Sequence, residues 1–523
     1  MKQFFLITIL CGLSLGSLSA ESLQLSSPAL TDSAKTYPGL GSNGVSQLYG
    51  QGESTLWLGT GLGLSRTDNF GTSFESYYSM QDSIPRGGIS AMDVRDSLIW
   101  IAGVFDTSTV VGDEIAGGGL AYSRDNGQNW VYIPQPIDSL GDTLQVWGGY
   151  PVHFLSIVTP VQNTTWDISI ATGHVYITSW AGGLRRSVDF GRTWERIPLP
   201  ADNRDFLKCG PVPYQINPRD PAQGGNHNHK GFSVLAYGDT VWVGTAGGLN
   251  LGIVDPNGCI GWRKFSAQNS AISGNWVVTI ARQIWKGQET IWAATLPAES
   301  SSEYRAISKT TDGGLTWTTT LRNERANHFV FQDSIVYACT ETGIYKSLDG
   351  ENWAVYKPMQ DPDRREYILS DNVYTAFIDN REGSRYLWIG SSDGIAKTTD
   401  DGLHWSVYRS AVPPGADGQP EIYAYPNPFA PNHHNVLNGD GHVRVRYHMP
   451  RPGNVRLEIY DFGMDRVYRS ETESIPNSGD FNVIWDGRNN DNKLVANGSY
   501  FCKLVRSIDG NEESFWTKLI IIK

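Results

Sequence analysis

A strand pattern that recurs seven times between residues 43 and 408 limits what this chain can fold into. Each copy is an alternating apolar run that carries a Trp or Tyr and ends in a small-residue step, as in Leu56–Thr60 and Val241–Thr245. The aromatic residues of the seven copies are Trp57, Trp100, Tyr176, Trp242, Trp292, Tyr337 and Trp388. They lie 43 to 76 residues apart, so the longer spacings contain insertions. The sequence therefore predicts seven similar units of short β-strands.

A second motif, Ser/Thr-x-Asp-x-Gly-x-x-Trp, follows the strand pattern in most units, and we call each copy an octad. The Asp position of the six recognisable copies, one with Asn and one shortened, is Asn69, Asp125, Asp189, Asp312, Asp349 and Asp400. The fourth unit keeps only Asp255–Gly258 before Trp262. An Asp in a hairpin turn accepts backbone N–H bonds, the Gly adopts a left-handed conformation, and the aromatic ring buries a large face. We therefore predict a structural role for all six residues.

A period of about 40–50 residues with several short strands is typical of one β-propeller blade. The octads resemble the Asp-box, or BNR, repeats of sialidases and related propellers. Segments such as Leu369–Val373 and Ile272–Val277 are similar to two-component-regulator propeller repeats. The resemblance implies that the octads lie on the turn between the third and fourth strands of each blade, away from any active site. We expect a seven-bladed propeller over residues 21–410 in an all-β protein.

The composition agrees with a large, well-packed β protein. Of 523 residues, 18% are charged, against roughly 25% in an average globular protein. Trp, Tyr, Gly and Pro are abundant, which argues against disorder. The net charge of −12 disfavours binding to nucleic acid and to anionic membrane surfaces.

Residues 1–20 read as a secretory signal peptide, with a basic start, an apolar run and a small residue at Ala20. We expect a cleaved signal, export, and no transmembrane segment afterwards. Four cysteines then remain, and a bond between Cys209 and Cys259 is one alternative that the sequence leaves open. His227 and His229 alternate on one loop without a carboxylate beside them, so neither a metal site nor a cofactor is predicted.

The chain changes character after residue 410. Residues 411–420 are a Pro/Gly-rich linker, and residues 421–523 contain alternating strands separated by turn signals, which predicts a small Ig-like β-sandwich. Tyr425–Phe429, Leu457–Asp461 and Trp485–Arg488 resemble the C-terminal sorting domains of type IX secretion cargo and the Ig-like domain of flagellar hook-cap proteins. The resemblance implies the type IX secretion machinery as a partner, and the surface or surroundings of a Gram-negative cell as the destination.

The insertions indicate where a ligand would bind. They are Phe105–Gly117, Pro134–Asn163, Pro198–Lys230, Leu296–Glu303 and Pro358–Ser370. All fall in second-to-third or fourth-to-first connections, which open on the same face of a propeller. Aromatic and carboxylate side chains there would suit a sugar or a peptide. The predicted ligand-binding residues, in and next to these insertions, are Trp147, Tyr150, Trp180, Tyr214, Asp106 and Asp113.

These features predict an exported, non-catalytic binding protein for a glycan or protein ligand, with a C-terminal sorting or attachment domain. No catalytic residue is assigned, because no Gly-x-Ser-x-Gly, His-Glu-x-x-His or phosphate loop is present. The alternative is a secreted glycoside hydrolase of the Asp-box propeller type, for which two carboxyl groups would have to lie about 5–10 Å apart.

Overall fold

The computed structural model describes residues 37–79, 83–356, 359–383, 385–416 and 418–523. The predicted signal peptide, residues 1–20, lies outside the described residues. In these ranges the regular structure is β-strand, apart from three short 3₁₀ turns at Pro221–Gln223, His227–His229 and Arg381–Gly383. None of these turns is long and apolar enough to cross a bilayer.

Most of the described strands before residue 409 form seven sheets, named I to VII, in which four consecutive strands pair antiparallel in chain order. Sheet I contains β1 (Tyr37–Pro38), β2 (Val45–Gln51), β3 (Thr55–Thr60), β4 (Gly63–Thr67) and β5 (Glu75–Tyr77). Sheet II contains β6 (Gly88–Arg95), β7 (Leu98–Thr109), β8 (Gly112–Ser123) and β9 (Val131–Ile133). Sheet III contains β12 (Thr165–Ala171), β13 (His174–Ser179), β14 (Gly183–Ser187) and β15 (Glu195–Ile197). A separate hairpin is β10 (Leu144–Trp147) with β11 (Tyr150–His153). The extra strand β1 pairs with β5.

Sheet IV contains β16 (Phe206–Leu207), β17 (Gly231–Tyr237), β18 (Thr240–Thr245), β19 (Gly248–Val254) and β20 (Ile260–Phe265). Sheet V contains β21 (Trp276–Trp285), β22 (Gln288–Leu296), β23 (Ala306–Thr310) and β24 (Thr318–Thr320). Sheet VI contains β25 (Ala326–Gln332), β26 (Ile335–Thr340), β27 (Gly343–Ser347) and β28 (Trp353–Tyr356). Sheet VII contains β31 (Val373–Asp379), β32 (Tyr386–Ser391), β33 (Gly394–Thr398) and β34 (Ser406–Tyr408). A two-stranded ribbon, β29 (Gln360–Asp361) with β30 (Glu366–Tyr367), precedes sheet VII.

The first strands of the sheets lie next to one another around a common centre. Strand β2 contacts β6, β6 contacts β12, and the series continues through β17, β21 and β25 to β31. Strand β31 in turn contacts β2, which brings the last sheet against the first. Radial sheets with their first strands innermost are the architecture of a β-propeller.

Neighbouring sheets are joined by tryptophan pairs. The octad Trp130 of sheet II packs edge-on against Trp57 of sheet I, with ring centroids 6.1 Å apart at 87°. Trp194 and Trp100 repeat this contact between sheets III and II, at 6.3 Å and 81°. Further pairs are Trp317 with Trp242 and Trp353 with Trp292. Edge-to-face packing adds about 0.5–1.5 kcal/mol per pair beyond the buried area.

The octads form hydrogen-bonded turns between the third and fourth strands. In sheet II, Asp125 Oδ1 accepts the N–H of Asn129 at 2.9 Å and the Ser123 hydroxyl at 2.8 Å. The same bonds recur at Asp189, Asp312, Asp349 and Asp400, and at Asn69. Gly127 has a φ of 77°, and a Cβ there would lie 2.3 Å from the Trp57 ring. The turn therefore sets the distance between one sheet and the next.

Two carboxyl groups link the first strands of sheets II, III and IV. Asp93 accepts the N–H of Ile170 at 2.6 Å, and Asp167 accepts the N–H of Val234 at 2.8 Å. Burial raises the pKa of Asp93 to about 6 and that of Asp167 to about 7, although these hydrogen bonds favour the carboxylates. The charge of each also disfavours ionisation of Tyr49, whose pKa is raised mainly by burial.

The strands after residue 420 form a two-sheet sandwich. Its strands are β35 (Ile422–Tyr425), β36 (Val443–Met449), β37 (Gly453–Tyr460), β38 (Arg466–Arg469), β39 (Glu473–Ile475), β40 (Gly479–Trp485), β41 (Gly498–Ile508) and β42 (Asn511–Ile521). Sheet VIII has the order β35-β36-β40, and sheet IX the order β38-β37-β41-β42 with β39 paired to β37. The two sheets enclose a core that includes Phe429, Trp485 and Cys502. This is an Ig-like domain.

Sheet VIII docks against sheet VII through buried charges. The carboxylate of Asp393, in the turn between β32 and β33, pairs with Arg444 at 2.6 Å and with Arg409. All three side chains are no more than 3% exposed. Arg446 reaches Glu366 at 3.4 Å. Since an uncompensated buried charge is costly, these pairs hold the Ig-like domain in one position on the propeller.

We predict that Asp189→Ala lowers the free energy of unfolding by about 1–3 kcal/mol, because it removes hydrogen bonds to the N–H and hydroxyl of Thr193. Asp189→Asn should cost much less, since Asn69 makes the equivalent bonds to Ser73 in sheet I. Urea denaturation of the three proteins measures this difference. Equal stability of the alanine and asparagine variants would contradict a structural role for the octad carboxylate.

We also predict a pH effect from Asp93 and Asp167. Because folding raises both pKa values above the ordinary 3.8, the folded state binds more protons, and stability falls as pH rises from about 4 through 7. For Asp93 alone the effect is about 3 kcal/mol. Unfolding at pH 4.5 and 8 should show that the Asp93→Asn/Asp167→Asn variant loses less stability than the unaltered protein. Parallel pH profiles would refute the assignment.

Candidate ligand-binding face

The strand order places every insertion on one face of the propeller. In a four-stranded meander, the second-to-third and fourth-to-first connections open on one side, and the octad turns open on the other. The long β7–β8 hairpin and the segments 134–163, 198–230, 296–303 and 359–370 therefore share one side, which we call the insert face. Asp393 lies in a second-to-third turn, so the Ig-like domain docks on this same side.

The insertions of sheets II to V are bonded to one another. Ala116 of the β7–β8 hairpin bridges to Val161, and Phe154 bridges to Ile216. The Asp138 carboxylate pairs with Arg185 at 2.9 Å, where both side chains are 4% exposed. These contacts join the insertions into one wall on the insert face.

Three aromatic rings from three adjacent sheets meet beside this wall. Trp180 lies in the β13–β14 turn, Phe232 near the start of β17, and Trp276 at the start of β21. The ring centroids are 5.2 Å apart for Trp180 and Phe232, 5.8 Å for Phe232 and Trp276, and 6.0 Å for Trp180 and Trp276. Each side chain is half-buried. We call this group the aromatic trio.

Charged side chains from the insertions border the trio. Lys230 Nζ lies 5.1 Å from the Trp180 ring centroid and 2.5 Å from the Asp220 carboxylate. His227 Nε2 lies 2.8 Å from Glu299 Oε1, which is contributed by the insertion of sheet V. The pKa of Asp220 is lowered, mainly because its carboxylate accepts a hydrogen bond from Lys230. The site thus combines apolar ring faces with one fixed cation and two carboxylates.

The structure distributes the six predicted ligand-binding residues over different environments. Trp147 is buried at 3% exposure, with Arg186 over its ring, whereas its hairpin partner Tyr150 is exposed. Tyr214 donates to the Leu199 carbonyl at 3.1 Å, and burial raises its pKa to about 12. Asp106 and Asp113 lie at the end of the β7–β8 hairpin, where Asp113 accepts the Ser108 hydroxyl at 2.7 Å. Trp180 belongs to the aromatic trio.

Phe232, Trp276 and Lys230 were not predicted from the sequence. Each lies in or next to a first strand, where an aromatic or basic residue reads as ordinary strand or turn sequence. The sequence does contain one signal for these residues. Lys230–Phe232 and Asn275–Trp276 both follow Gly- or Asn-rich turns and lie at the start of a strand.

The two histidines of segment 227–229 serve different purposes. His229 is buried and its ring nitrogens face the backbone of Asn217 and Leu199, and burial lowers its pKa to about 4. The sequence interpretation that no carboxylate lies near this loop is corrected by Glu299 beside His227. In the described part of the chain, a compact group of three possible metal ligands is formed by Cys209, Asp255 and Cys259, but the two sulfur atoms form a disulfide.

Comparison with known proteins identifies the C-terminal module most directly. Residues 432–510 match the family model of the FlgD Ig-like domain. No curated protein matches the chain.

Several solved structures are similar to large parts of the chain. PorZ, described as an essential surface component of the type-IX secretion system of Porphyromonas gingivalis, is 14% identical with a TM-score of 0.37, over 90% of this chain and 64% of that chain. An ancestral GH74 enzyme is 12% identical with a TM-score of 0.49, over 94% of this chain and 64% of that chain. YCF48 bound to D1 peptide is 13% identical with a TM-score of 0.40, over 73% and 99%. This chain thus spans less than two thirds of the PorZ and GH74 chains, and its function has to be argued from its own residues.

Proposed function

We propose that this protein is an exported, non-catalytic β-propeller that binds a glycan on its insert face and carries a C-terminal secretion-sorting domain. The observation that supports glycan binding is the aromatic trio of Trp180, Phe232 and Trp276 beside Lys230. A sugar ring has an apolar face that stacks on aromatic rings and hydroxyl groups that pair with flanking charges. Rigid first strands hold two of the three rings, so little order has to be gained on binding.

The carboxyl groups favour binding over hydrolysis. A glycosidase needs one carboxylic acid whose pKa is raised so that it can donate a proton. Asp220 is shifted the other way by Lys230. Asp93 and Asp167 have raised pKa values, but each already accepts a backbone N–H of the next sheet. Among the described carboxyl groups whose pKa is shifted, none at the aromatic trio has a raised pKa, and this favours binding over the glycoside hydrolase alternative.

The proposal includes seven blades and an Asp-box role for the octads. The contact of β31 with β2 supports closure after sheet VII. The octads of six sheets share one hydrogen-bond pattern and lie on the face opposite the insertions, which supports a structural role for Asn69, Asp125, Asp189, Asp312, Asp349 and Asp400.

The sorting role is proposed for the Ig-like domain, residues 421–523, with type IX secretion machinery as the partner. The match of residues 432–510 to the FlgD Ig-like domain supports the domain type. Export through the predicted signal peptide would place the protein at the surface or in the medium of a Gram-negative cell.

We predict that Trp276→Ala weakens glycan binding at least about tenfold, a loss of about 1.4 kcal/mol. Trp285→Ala is the matched control. Trp276 and Trp285 are the first and last residues of β21, so Trp285 lies on the side of the propeller opposite the insert face. Binding to a panel of neutral polysaccharides is measured by calorimetry, and the same mixtures are assayed for new reducing ends. Equal losses in both variants would contradict the trio as the site, and reducing ends that require Asp220 or Glu299 would establish a hydrolase.

We predict that removal of residues 421–523 prevents secretion and leaves the protein in the periplasm. Because the deletion also uncovers Asp393 and Arg409, the full-length Asp393→Asn variant serves as the control: it weakens docking but keeps the domain. Cell fractionation and immunoblotting of the secreting organism measure both. Secretion of the truncated chain would remove the sorting proposal, and loss of secretion in both variants would assign the effect to folding.

A further inference from the structure

The outer face of sheet IX carries a cluster of cations in register. Val455, Leu457 and Ile459 of β37 face the core, so the alternate residues of this strand face outward. Glu458 lies opposite Arg469 of β38 and opposite Lys503 of β41. Lys503 in turn lies opposite Trp516 of β42. This row crosses four strands, about 14 Å at the usual strand spacing.

The neighbouring rows add further cations. Tyr460 lies opposite Arg466 and Phe501, and Phe501 lies opposite Lys518. Arg456 projects from β37 on the other side of Glu458. We call Arg456, Arg466, Arg469, Lys503 and Lys518, with the side chains between them, the cationic face. The acidic residue Glu512 lies at the far end of the same face, opposite Ser507.

The single carboxylate inside the cationic face is already bonded. Glu458 accepts Arg456 Nε at 3.0 Å and the Tyr460 hydroxyl at 2.8 Å. Arg466 and Arg469 lie 3.9 and 3.8 Å from the same oxygen, and each is 46% exposed. Four of the five cations thus lie beside one buried carboxylate, and Lys518 lies two strands away, in a chain whose net charge is −12. The guanidinium groups of Arg466 and Arg469 keep free N–H directions toward solvent.

Aromatic rings complete the cationic face. Tyr460 and Trp516 lie 5.5 Å apart at 43°, and Lys503 Nζ lies 5.5 Å from the Trp516 centroid. Trp516 is 47% exposed, although Trp side chains are on average highly buried. Trp, Tyr and Arg are the residues that contribute most to protein interfaces.

The cationic face is turned away from the propeller. The described contacts between the two domains come mainly from sheet VIII, through Arg444 and Arg446, and from the β39 residues Glu473 and Ser474. Sheet IX forms the other side of the sandwich. Its outer rows are therefore open to a partner while the Ig-like domain is docked.

We propose that the cationic face is a docking surface for an acidic segment of a partner protein. Arginine pairs with carboxylates through two parallel hydrogen bonds, and desolvation beside Trp516 and Tyr460 strengthens such pairs. A partner rich in Asp and Glu supplies the charge that this face lacks, and the flat, aromatic-centred sheet suits a peptide or protein surface. The surface is separate from the aromatic trio, so it does not depend on the glycan proposal.

The test uses the full-length protein and a fluorescein-labelled oligo-glutamate peptide, with binding followed by fluorescence anisotropy. Binding is expected at about 50 mM salt and should weaken about tenfold at about 300 mM, since charged contacts at a surface are screened. Lys518→Glu and Trp516→Ala should each weaken binding about tenfold. Both residues are exposed, and thermal unfolding verifies that both variants fold.

Lys493→Glu is the matched control, because it makes the same change in net charge at an exposed lysine outside the cationic face. Its binding should equal that of the unaltered protein. Arg469→Lys should bind better than Arg469→Gln if charge is what is recognised. An equal loss in Lys493→Glu, no binding at low salt, or tighter binding of polygalacturonate than of oligo-glutamate would overturn the proposal, the last in favour of an acidic polysaccharide.

Discussion

The edge-to-face contact between the tryptophans of adjacent sheets is the interaction on which the rest of the propeller depends. Four second-strand tryptophans receive the octad Trp of the following sheet, as in Trp57 with Trp130 and Trp242 with Trp317. The octad turn can approach the preceding sheet this closely only because its Gly has no side chain: a Cβ at Gly127 would lie 2.3 Å from the Trp57 ring, and one at Gly314 would lie 2.4 Å from the Phe265 ring. Where sheet VII meets sheet I, Phe74 packs edge-on against Tyr408 of the fourth strand of sheet VII, with ring centroids 5.5 Å apart at 66°.

This arrangement separates stability from recognition. The octads that hold the sheets together open on one face, and the insertions open on the other, because consecutive hairpins of a meander alternate sides. The insertions are consequently free to vary in length without disturbing the contacts between sheets. The aromatic trio and the docked Ig-like domain both use the face that the octads leave open.

The charges of the Ig-like domain are divided between its two sheets. On sheet VIII, Arg444 and Arg446 are neutralised by propeller carboxylates at the docking contact. On sheet IX, the outward cations share Glu458, and the acidic Glu512 lies at the far end of the same face. A sandwich has two outer faces. Because sheet VIII docks on the propeller, the outer face of sheet IX is left in solvent with more cations than carboxylates.

Local patterns in the sequence determined much of this protein. The runs Leu56–Thr60 and Val241–Thr245, which the sequence predicts as strands, each end where the observed strand ends and begin one residue after it begins. Strands and turns follow from side-chain alternation and from Gly, Asp and Asn, which act over a few neighbours. Cys339 and Cys502 lie in strand-like runs and are buried.

Only the tertiary structure decided which residues meet. Trp147 and Trp180 look alike in sequence, yet one fills the space beside the Cys209–Cys259 disulfide and the other joins Phe232 and Trp276. The partners of Asp393 and His227 come from segments 51 and 72 residues away. Such contacts depend on how whole sheets are placed around the centre, and the local alternation of side chains does not encode that placement.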